Sequence, residues 1–277
     1  VRFFPAIFST FVVPLGGLIQ WYLLPKDKIS SIASSVILLT LLPVARHGRL
    51  AMLDGTQLSA IALLWFFLVS LDETKRDKFR LFGAGFACSF MLLLKAPLVI
   101  PAVVAALLPL LWERKFKYQY NFNYFRWFIC GLMPGVCWHA VNAFTNRSDA
   151  FWLWWGDGAG RVLFDSGSGS ELGFLVPIIE FVEGGWPWIL LWPFGVALAW
   201  DQLSTRWGSW ALGTQIILAA SILPLKTQLP WYSHPLWLPF SLVCGPIFAW
   251  LVQRERTNKP LAARTIALVP FFWASLG

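Results

Sequence analysis

An all-α, polytopic transmembrane bundle is the fold class this sequence predicts, and three observations carry that prediction. Of the 277 residues, 57% are hydrophobic and only 13% are charged. A soluble domain carries about twice that share of charge. Mean hydropathy is +0.62, and apolar runs long enough to serve as spans, about 17–25 residues, fill most of the chain. Finally, the hydrophilic breaks between these runs alternate in character. One set is cationic: Lys26-Asp27-Lys28, Lys75 to Arg80, Arg114 to Lys117 and Arg254-Glu255-Arg256. The other set is poor in Lys and Arg: Arg46 to Asp54, Lys95-Ala96-Pro97, a long loop after Phe144, and Lys226 to His234. The positive-inside rule puts the first set in the cytoplasm and the second outside.

Ten segments follow in order, near 3–24, 29–45, 55–71, 81–94, 97–112, 125–144, 186–200, 209–225, 235–252 and 264–277. With Val1 starting outside, the alternation is consistent, and most of the 22 Lys and Arg fall on the inner side. The whole chain, 1–277, reads as one transmembrane domain. It begins with Val1 and stops inside an apolar run, so it is expected to be a fragment cut at both ends. The break across 145–185 holds two apolar patches, Phe151 to Trp155 and Phe174 to Val182, joined by the flexible turn Asp165 to Ser170. Two interfacial helices lying on the outer surface are expected there.

The net charge of +8 and pI of about 9.6 do not indicate nucleic acid. The cations cluster in short loops between apolar runs, so anionic lipid headgroups are the partner they fit. The 18 Trp suit the membrane interface. Cys88, Cys130, Cys137 and Cys244 all lie in apolar runs, which predicts buried, unpaired thiols. No cofactor is indicated. A divalent metal is left open, because His47, His139 and His234 share no metal spacing.

The few charges on the cation-poor side are candidates for chemistry. Asp54 stands at the mouth of a span. It reads as a helix N-cap or as a catalytic or metal-binding carboxylate, and spacing alone favours the cap. Lys95, between two apolar runs, either snorkels or meets an anion. Asp157 and Arg161 stand one helical turn apart, as an ion pair or with Arg161 clamping a phosphate. Glu180 and Glu183 read as a solvated helix end. Lys226, Tyr232 and His234 gather in a turn shaped by Trp231 and two prolines, either an aromatic anchor or a phosphate-binding turn.

These outer segments, in this order, resemble the polyprenyl-phosphate-sugar-dependent glycosyltransferases of the protein O-mannosyltransferase and ArnT-like type, in the GT-C superfamily. Arg2-Phe3-Phe4-Pro5-Ala6 resembles the family's Arg-Leu-Pro-Ser-Ala. Arg46 to Asp54 resembles its Arg-containing stretch ending in a functional Asp. Leu93 to Pro97 resembles Leu-Thr-Lys-Gly-Pro, and Gly185 to Trp188 resembles a Pro-Trp element. Lys226 to Pro235 resembles Ser-Lys-x-x-x-Tyr-x-x-Pro, with Tyr232 on the tyrosine. The resemblance implies a membrane glycosyltransferase moving a sugar from a polyprenyl-phosphate donor to a lipid or protein acceptor. It implies a bacterial plasma-membrane location with the site on the outer, periplasmic face. Asp54 would be catalytic. Lys95, Arg161, Lys226 and Tyr232 would bind the donor phosphate, with Arg46, His47, Asp157 and His234 in support. The family's first-loop acid and Lys-Pro-Pro element have no counterpart here and are expected upstream. The histidine that the ArnT-like branch carries shortly before the matched arginine is also missing from 156–160. The competing reading is a transporter or lipid flippase. Such proteins show internal repeats and mid-depth charges, whereas this chain shows no repeat and gathers its polar residues at one face.

Overall fold

The computed structural model describes residues 3–50, 52–72, 76–112, 122–156, 160 and 172–256. Among them there is no strand, and thirteen α-helices follow one another. They are α1 Phe3–Thr10, α2 Val12–Leu23, α3 Lys28–Thr40, α4 Leu42–Arg49, α5 Leu53–Val69, α6 Asp77–Lys95 and α7 Val99–Trp112. Next come α8 Phe122–Thr145, α9 Arg147–Trp154, α10 Leu175–Gly184, α11 Trp192–Asp201, α12 Arg206–Ile222 and α13 Trp237–Arg256. Short 3-10 turns cover Ala96–Leu98, Trp188–Leu190 and Pro230–Leu236.

The ten expected spans reduce to fewer that qualify by length and composition. Four helical stretches among the described residues are long and apolar enough: Phe3–Leu23, Asp77–Trp112, Phe125–Thr145 and Pro230–Gln253. The number rises to six if each of two bent pairs is one span. In the first pair, α3 and α4 meet at 58°; in the second, α10 meets the Trp188–Asp201 stretch at 103°. The segment expected at 29–45 is therefore broken. Leu41 is extended (φ −65°, ψ 119°) and Pro43 starts a new helix, a position proline suits. Helices α5 and α12 have 17 residues each, about 26 Å at 1.5 Å per residue, slightly under a bilayer core. The expected segment at 264–277 lies outside the described residues.

Asp77–Trp112 would run about 54 Å as one straight helix, nearly twice the bilayer core. It does not run straight, because Lys95 leaves helical geometry at φ −154°, ψ 79°. Gln57 approaches the Lys95 carbonyl while Phe67 packs on Gly83, so α6 runs antiparallel to α5. Pro109 packs on Gly213, and both Pro101 and Ile222 reach the cavity described below. Thus α7 runs antiparallel to α12. The two segments expected at 81–94 and 97–112 are two legs joined at Lys95.

Small residues set the tightest helix contacts, as expected where lipid leaves no solvent-driven force between helices. Gly85 and Ser89 on α6 face Gly131 and Gly135 on α8. A Cβ on Gly85 would run into the Phe128 carbonyl, and one on Gly131 into the Phe82 carbonyl. The Gly135 amide donates to Ser89 Oγ at 2.6 Å. Serines on α3 work the same way: Ser31 donates to the Gly17 carbonyl of α2 at 2.6 Å, and Ser34 to the Ser241 carbonyl of α13 at 3.0 Å.

Tryptophan does more than line the interface. Trp65, Trp207, Trp210 and Trp237 are fully buried. The Trp65 indole donates to the Ala102 carbonyl at 3.0 Å, and Trp207 to Leu242 at 3.1 Å. Each uses the second lone pair of a helical carbonyl. The thiols divide, contrary to expectation. All four are free; Cys88 and Cys244 are buried, but Cys130 and Cys137 are exposed on α8. That helix packs along α6 and leaves the rest of its apolar surface outward, where a thiol is as compatible with lipid as a small hydrophobe.

Among the described residues, the two sets of charged breaks lie at opposite ends of the bundle. At one end, Asp27 caps α3 by accepting from the Ser30 amide at 3.0 Å. Arg80 pairs with Asp72 and with buried Asp77 at 2.5 and 2.9 Å. Arg206 donates to the Val69 carbonyl at 2.6 Å and the Tyr22 carbonyl at 3.5 Å, satisfying carbonyls that helix C-termini leave open. The other end holds Arg46, His47, Asp54, Lys95 and Lys226.

Candidate functional site

The site end is built from three chain corners. The first is the turn between α4 and α5. Arg46, His47 and Arg49 occupy the last turn of α4, where cations suit the helix dipole. The chain then doubles back tightly, with the Met52 amide on the His47 carbonyl at 3.1 Å. Gly48 and Gly55 make room for this, since a Cβ on Gly55 would stand 3.1 Å from Ser9 Cβ and 3.4 Å from Gly48 N. Asp54 follows at once.

Asp54 is not the N-cap. Met52 holds that position, extended at φ −71°, ψ 147°, with no side-chain capping bond. Asp54 lies inside the first turn, and its Oδ1 is 2.8 Å from Lys95 Nζ. The carboxylate has turned from its own backbone to an ammonium 41 residues away. The side chains are 30% exposed for Lys95 and 11% for Asp54, so this pair is substantially withdrawn from solvent. Snorkelling does not describe Lys95 either.

The second corner is Lys95 itself, where α6 ends. The third is the Pro230–Leu236 turn. Gln228, buried, shapes it by donating to the carbonyls of Ile222, Leu223 and Leu225 at 3.1, 3.2 and 2.6 Å, closing the C-terminus of α12. Sequence reading passed over Gln228; an amide between a helix end and a proline turn was the available signal. The turn presents Tyr232, whose ring centroid is 5.0 Å from Lys95 Nζ, within cation–π range. One lysine therefore joins a carboxylate from α5 to an aromatic ring from the far end of the chain.

These three residues line a cavity of about 740 Å³. Most of its wall is apolar, including Leu92, Leu98, Ile100 and Leu225. Trp138, His139 and Trp154 also line it, and none was singled out as a site residue. His139 sits between the two indoles, with centroids at 4.8 and 4.9 Å. Its Nε2 is 3.1 Å from the Leu92 carbonyl, so that nitrogen carries the hydrogen. A Trp-His pair in the outer half of a span was the sequence signal.

Of the other expected site residues, the structure gathers only some. Lys226 is exposed and lies just past the lining residue Leu225 rather than in the cavity wall. Arg46 is exposed at the α4 end. His47 and His234 meet each other, Nδ1 to Nδ1 at 2.9 Å, behind the cavity wall. Asp157 and Arg161 lie outside the described residues. Among the described residues no group of three or more His, Cys, Asp or Glu is placed to hold a metal ion. Glu180 is half-buried and Glu183 exposed.

An apolar cavity with an ammonium, a carboxylate and a phenol grouped in its wall can hold a molecule with a long apolar tail and an anionic head. The sequence profile of the dolichyl-phosphate-mannose-protein mannosyltransferase family matches residues 1–146, just over half of the 277. The chain belongs to that family. The match contains Asp54 and Lys95 but not Tyr232. Over 271 residues the chain is 25% identical to the undecaprenyl phosphate-alpha-4-amino-4-deoxy-L-arabinose arabinosyl transferase of Enterobacter sp. (strain 638), covering 92% of this chain and 47% of that protein. Its fold is that of ArnT from Cupriavidus metallidurans. The crystal structure of that protein bound to undecaprenyl phosphate superposes with a TM-score of 0.75 at 14% identity, over 92% of this chain and 49% of the other. The apo form gives 0.72 at 13% identity, over 88% and 44%. This mannosyltransferase-family chain thus spans about half the length of the relatives it matches.

Replacing Asp54 with Asn tests the site without disturbing the helix. Asn caps as well as Asp, but Asp54 is not a cap, so only the charge changes. Lys95 would lose its partner, and binding of a long-tailed anionic lipid in the cavity is expected to weaken at least about tenfold, the usual effect of one charge-assisted bond. Membrane insertion should be unchanged. Lipid-binding assays on membranes with matched protein levels check both.

Proposed function

We propose that this chain carries the donor site of a membrane glycosyltransferase that moves a sugar from a polyprenyl-phosphate carrier to a lipid or protein acceptor. The observation that carries the reading is the cavity: an apolar volume of about 740 Å³ with Asp54, Lys95 and Tyr232 grouped in its wall, in a chain of this family. The polyprenyl tail would lie along the apolar wall, and the phosphate would meet Lys95. One proton of that ammonium already goes to Asp54; the group has three to give. The sugar leaves a phosphate behind, and a fixed cation stabilises the charge that develops on it. Asp54 aims the lysine. An acceptor hydroxyl needs a carboxylate to take its proton, and Asp54 is the carboxylate in the cavity wall. Arg161 and Lys226 are assigned to the same phosphate, Arg161 as a two-pronged donor and Lys226 as a point charge from the neighbouring loop. Asp157, Arg46 and His234 support them.

The cation-poor end of the bundle faces outward in this reading, in the plasma membrane of a bacterium, with α9 and α10 lying at the interface on either side of the 157–171 segment. Two of the similar proteins support a lipid-phosphate donor: one is named for an undecaprenyl-phosphate-linked sugar, the other was crystallised with undecaprenyl phosphate.

The test is binding of undecaprenyl phosphate, and transfer from its glycosylated form, by the full-length protein. Arg161→Ala and Arg161→Lys are both expected to weaken binding roughly tenfold or more. Lysine keeps the charge but loses the fork. If Arg161→Ala and Lys226→Ala both bind as the parent does, these two cations anchor the loop and the phosphate site lies elsewhere.

A further inference from the structure

His47 and His234, 187 residues apart in sequence, face each other with Nδ1 atoms 2.9 Å apart and ring centroids at 4.6 Å. Neither lines the cavity, but each is linked to a residue that does. His47 lies in the last turn of α4, just before the tight turn into Asp54. His234 lies two residues after Tyr232 in the same 3-10 turn. His234 is only 1% exposed, and its Nε2 has no partner. Its one side-chain hydrogen bond among the described residues is therefore to His47. That bond ties the corner holding the Asp54–Lys95 pair to the turn holding Tyr232.

A bond between two Nδ1 atoms needs one hydrogen and one lone pair. A neutral pair satisfies this, and so does a pair sharing one extra proton. A pair in which both imidazoles are protonated cannot, because hydrogen then faces hydrogen. The charged groups that bear on the pair are Asp54 and Arg46 beside His47, and Lys95 beside His234. The α10 helix, which also packs on the 3-10 turn, adds half-buried Glu180 and exposed Glu183.

We propose that His47 and His234 form a clasp that fixes the spacing between the Asp54–Lys95 pair and Tyr232, and that the clasp opens when both imidazoles are protonated. The two are positioning residues, and the inference rests on the donor site proposed above. Opening separates the phosphate-binding groups, so donor affinity falls at acid pH; because the second proton must join the first beside Lys95 and Arg46, the fall lies well below the range in which a free histidine titrates.

The experiment measures undecaprenyl phosphate binding to the full-length protein between pH 8 and pH 4. The ligand's own phosphate also titrates near pH 6, so each variant is compared with the parent at the same pH. His47→Ala and His234→Ala are each expected to weaken binding roughly tenfold at pH 8, and the double variant no further, because both remove one bond. Asn places an amide near the position of Nδ1, and it accepts from a protonated partner as well as from a neutral one. His234→Asn should therefore match the parent at pH 8 and bind roughly tenfold better than it at the acid end of the range. A merely structural histidine would not give that crossover. Alanine variants that equal the parent at pH 8, or an Asn variant that follows the parent through the whole range, overturn the clasp. If the parent binds no undecaprenyl phosphate at any pH, the donor reading is what fails. The clasp is then judged by thermal unfolding: coupling between the two histidines at pH 8 that vanishes at pH 4 supports it, and no coupling at pH 8 overturns it.

Discussion

Lys95→Met is expected, on the proposed donor site, to reduce kcat/KM for donor-dependent sugar transfer about a hundredfold, the upper part of the range for a lost charge-assisted bond. Two losses combine. The phosphate gives up a cation in the wall of an apolar cavity, and Asp54, with its side chain 11% exposed, is left without its ammonium. The second loss can be separated from the first. In Asp54→Asn/Lys95→Met no unpaired carboxylate remains. If the pair acts as a unit, the double variant is no worse than Lys95→Met alone, and the measured effects are far from additive. Met keeps the length and the apolar stem of Lys, so packing against Tyr232 survives and the protein should still accumulate in membranes. Transfer assays over a range of donor concentrations check this. Near-parental kcat/KM for Lys95→Met would remove Lys95 from the phosphate site and leave the Asp54 pair a structural contact.

The class of fold, and the end of the bundle that matters, were legible because they depend on local composition. Low charge, apolar runs and the uneven sharing of Lys and Arg each read directly as membrane segments and their ends. Asp54, Lys95 and Tyr232 were found one at a time, each as an oddly placed polar residue. Spacing alone did not show their meeting, since 41 residues separate the first two and Tyr232 comes from the far end of the chain; the family resemblance is what grouped them at one site. Local rules also misread Asp54: its place before an apolar run suggests a cap, and only the three-dimensional path of α6 offers it a stronger partner. His47 and His234 were noted for metal spacing that they lack, whereas what they share is a contact that no spacing encodes. The break at Lys95 was legible because a cation and a proline interrupt the apolar run, whereas the break at Leu41 was not, because it depends on the backbone of one apolar residue. Buried tryptophans such as Trp65 likewise follow from where a neighbouring carbonyl lies open, not from hydropathy.

The α6–α8 seam gives the largest expected effect on stability. Helix α6 ends in Lys95, so whatever holds α6 in place holds the site. Its contact with α8 rests on backbone meeting backbone: Gly85 against the Phe128 carbonyl, and Gly131 against the Phe82 carbonyl. Spacing of four residues, Gly85 to Ser89 and Gly131 to Gly135, puts each pair on one helix face. In Gly131→Leu the added side chain meets main-chain atoms, which cannot rotate away as a side chain would. Overpacking a well-filled core already costs about 1–3 kcal/mol, and a clash with backbone belongs at or above the top of that range. About 3 kcal/mol corresponds to a fall of about 10 °C in Tm for a protein of this size. The seam would also separate Gly135 from Ser89 Oγ, now 2.6 Å apart, and release a helical amide inside an apolar layer. Phe125→Leu is the matched control, because Phe125 is 53% exposed on the outward side of the same helix and should leave Tm unchanged. Thermal unfolding in detergent, followed by size-exclusion profile, reads both variants. If Gly131→Leu unfolds with the parent, the two helices have room to part without cost, and close glycine contact is not what keeps α6, and Lys95 with it, in register.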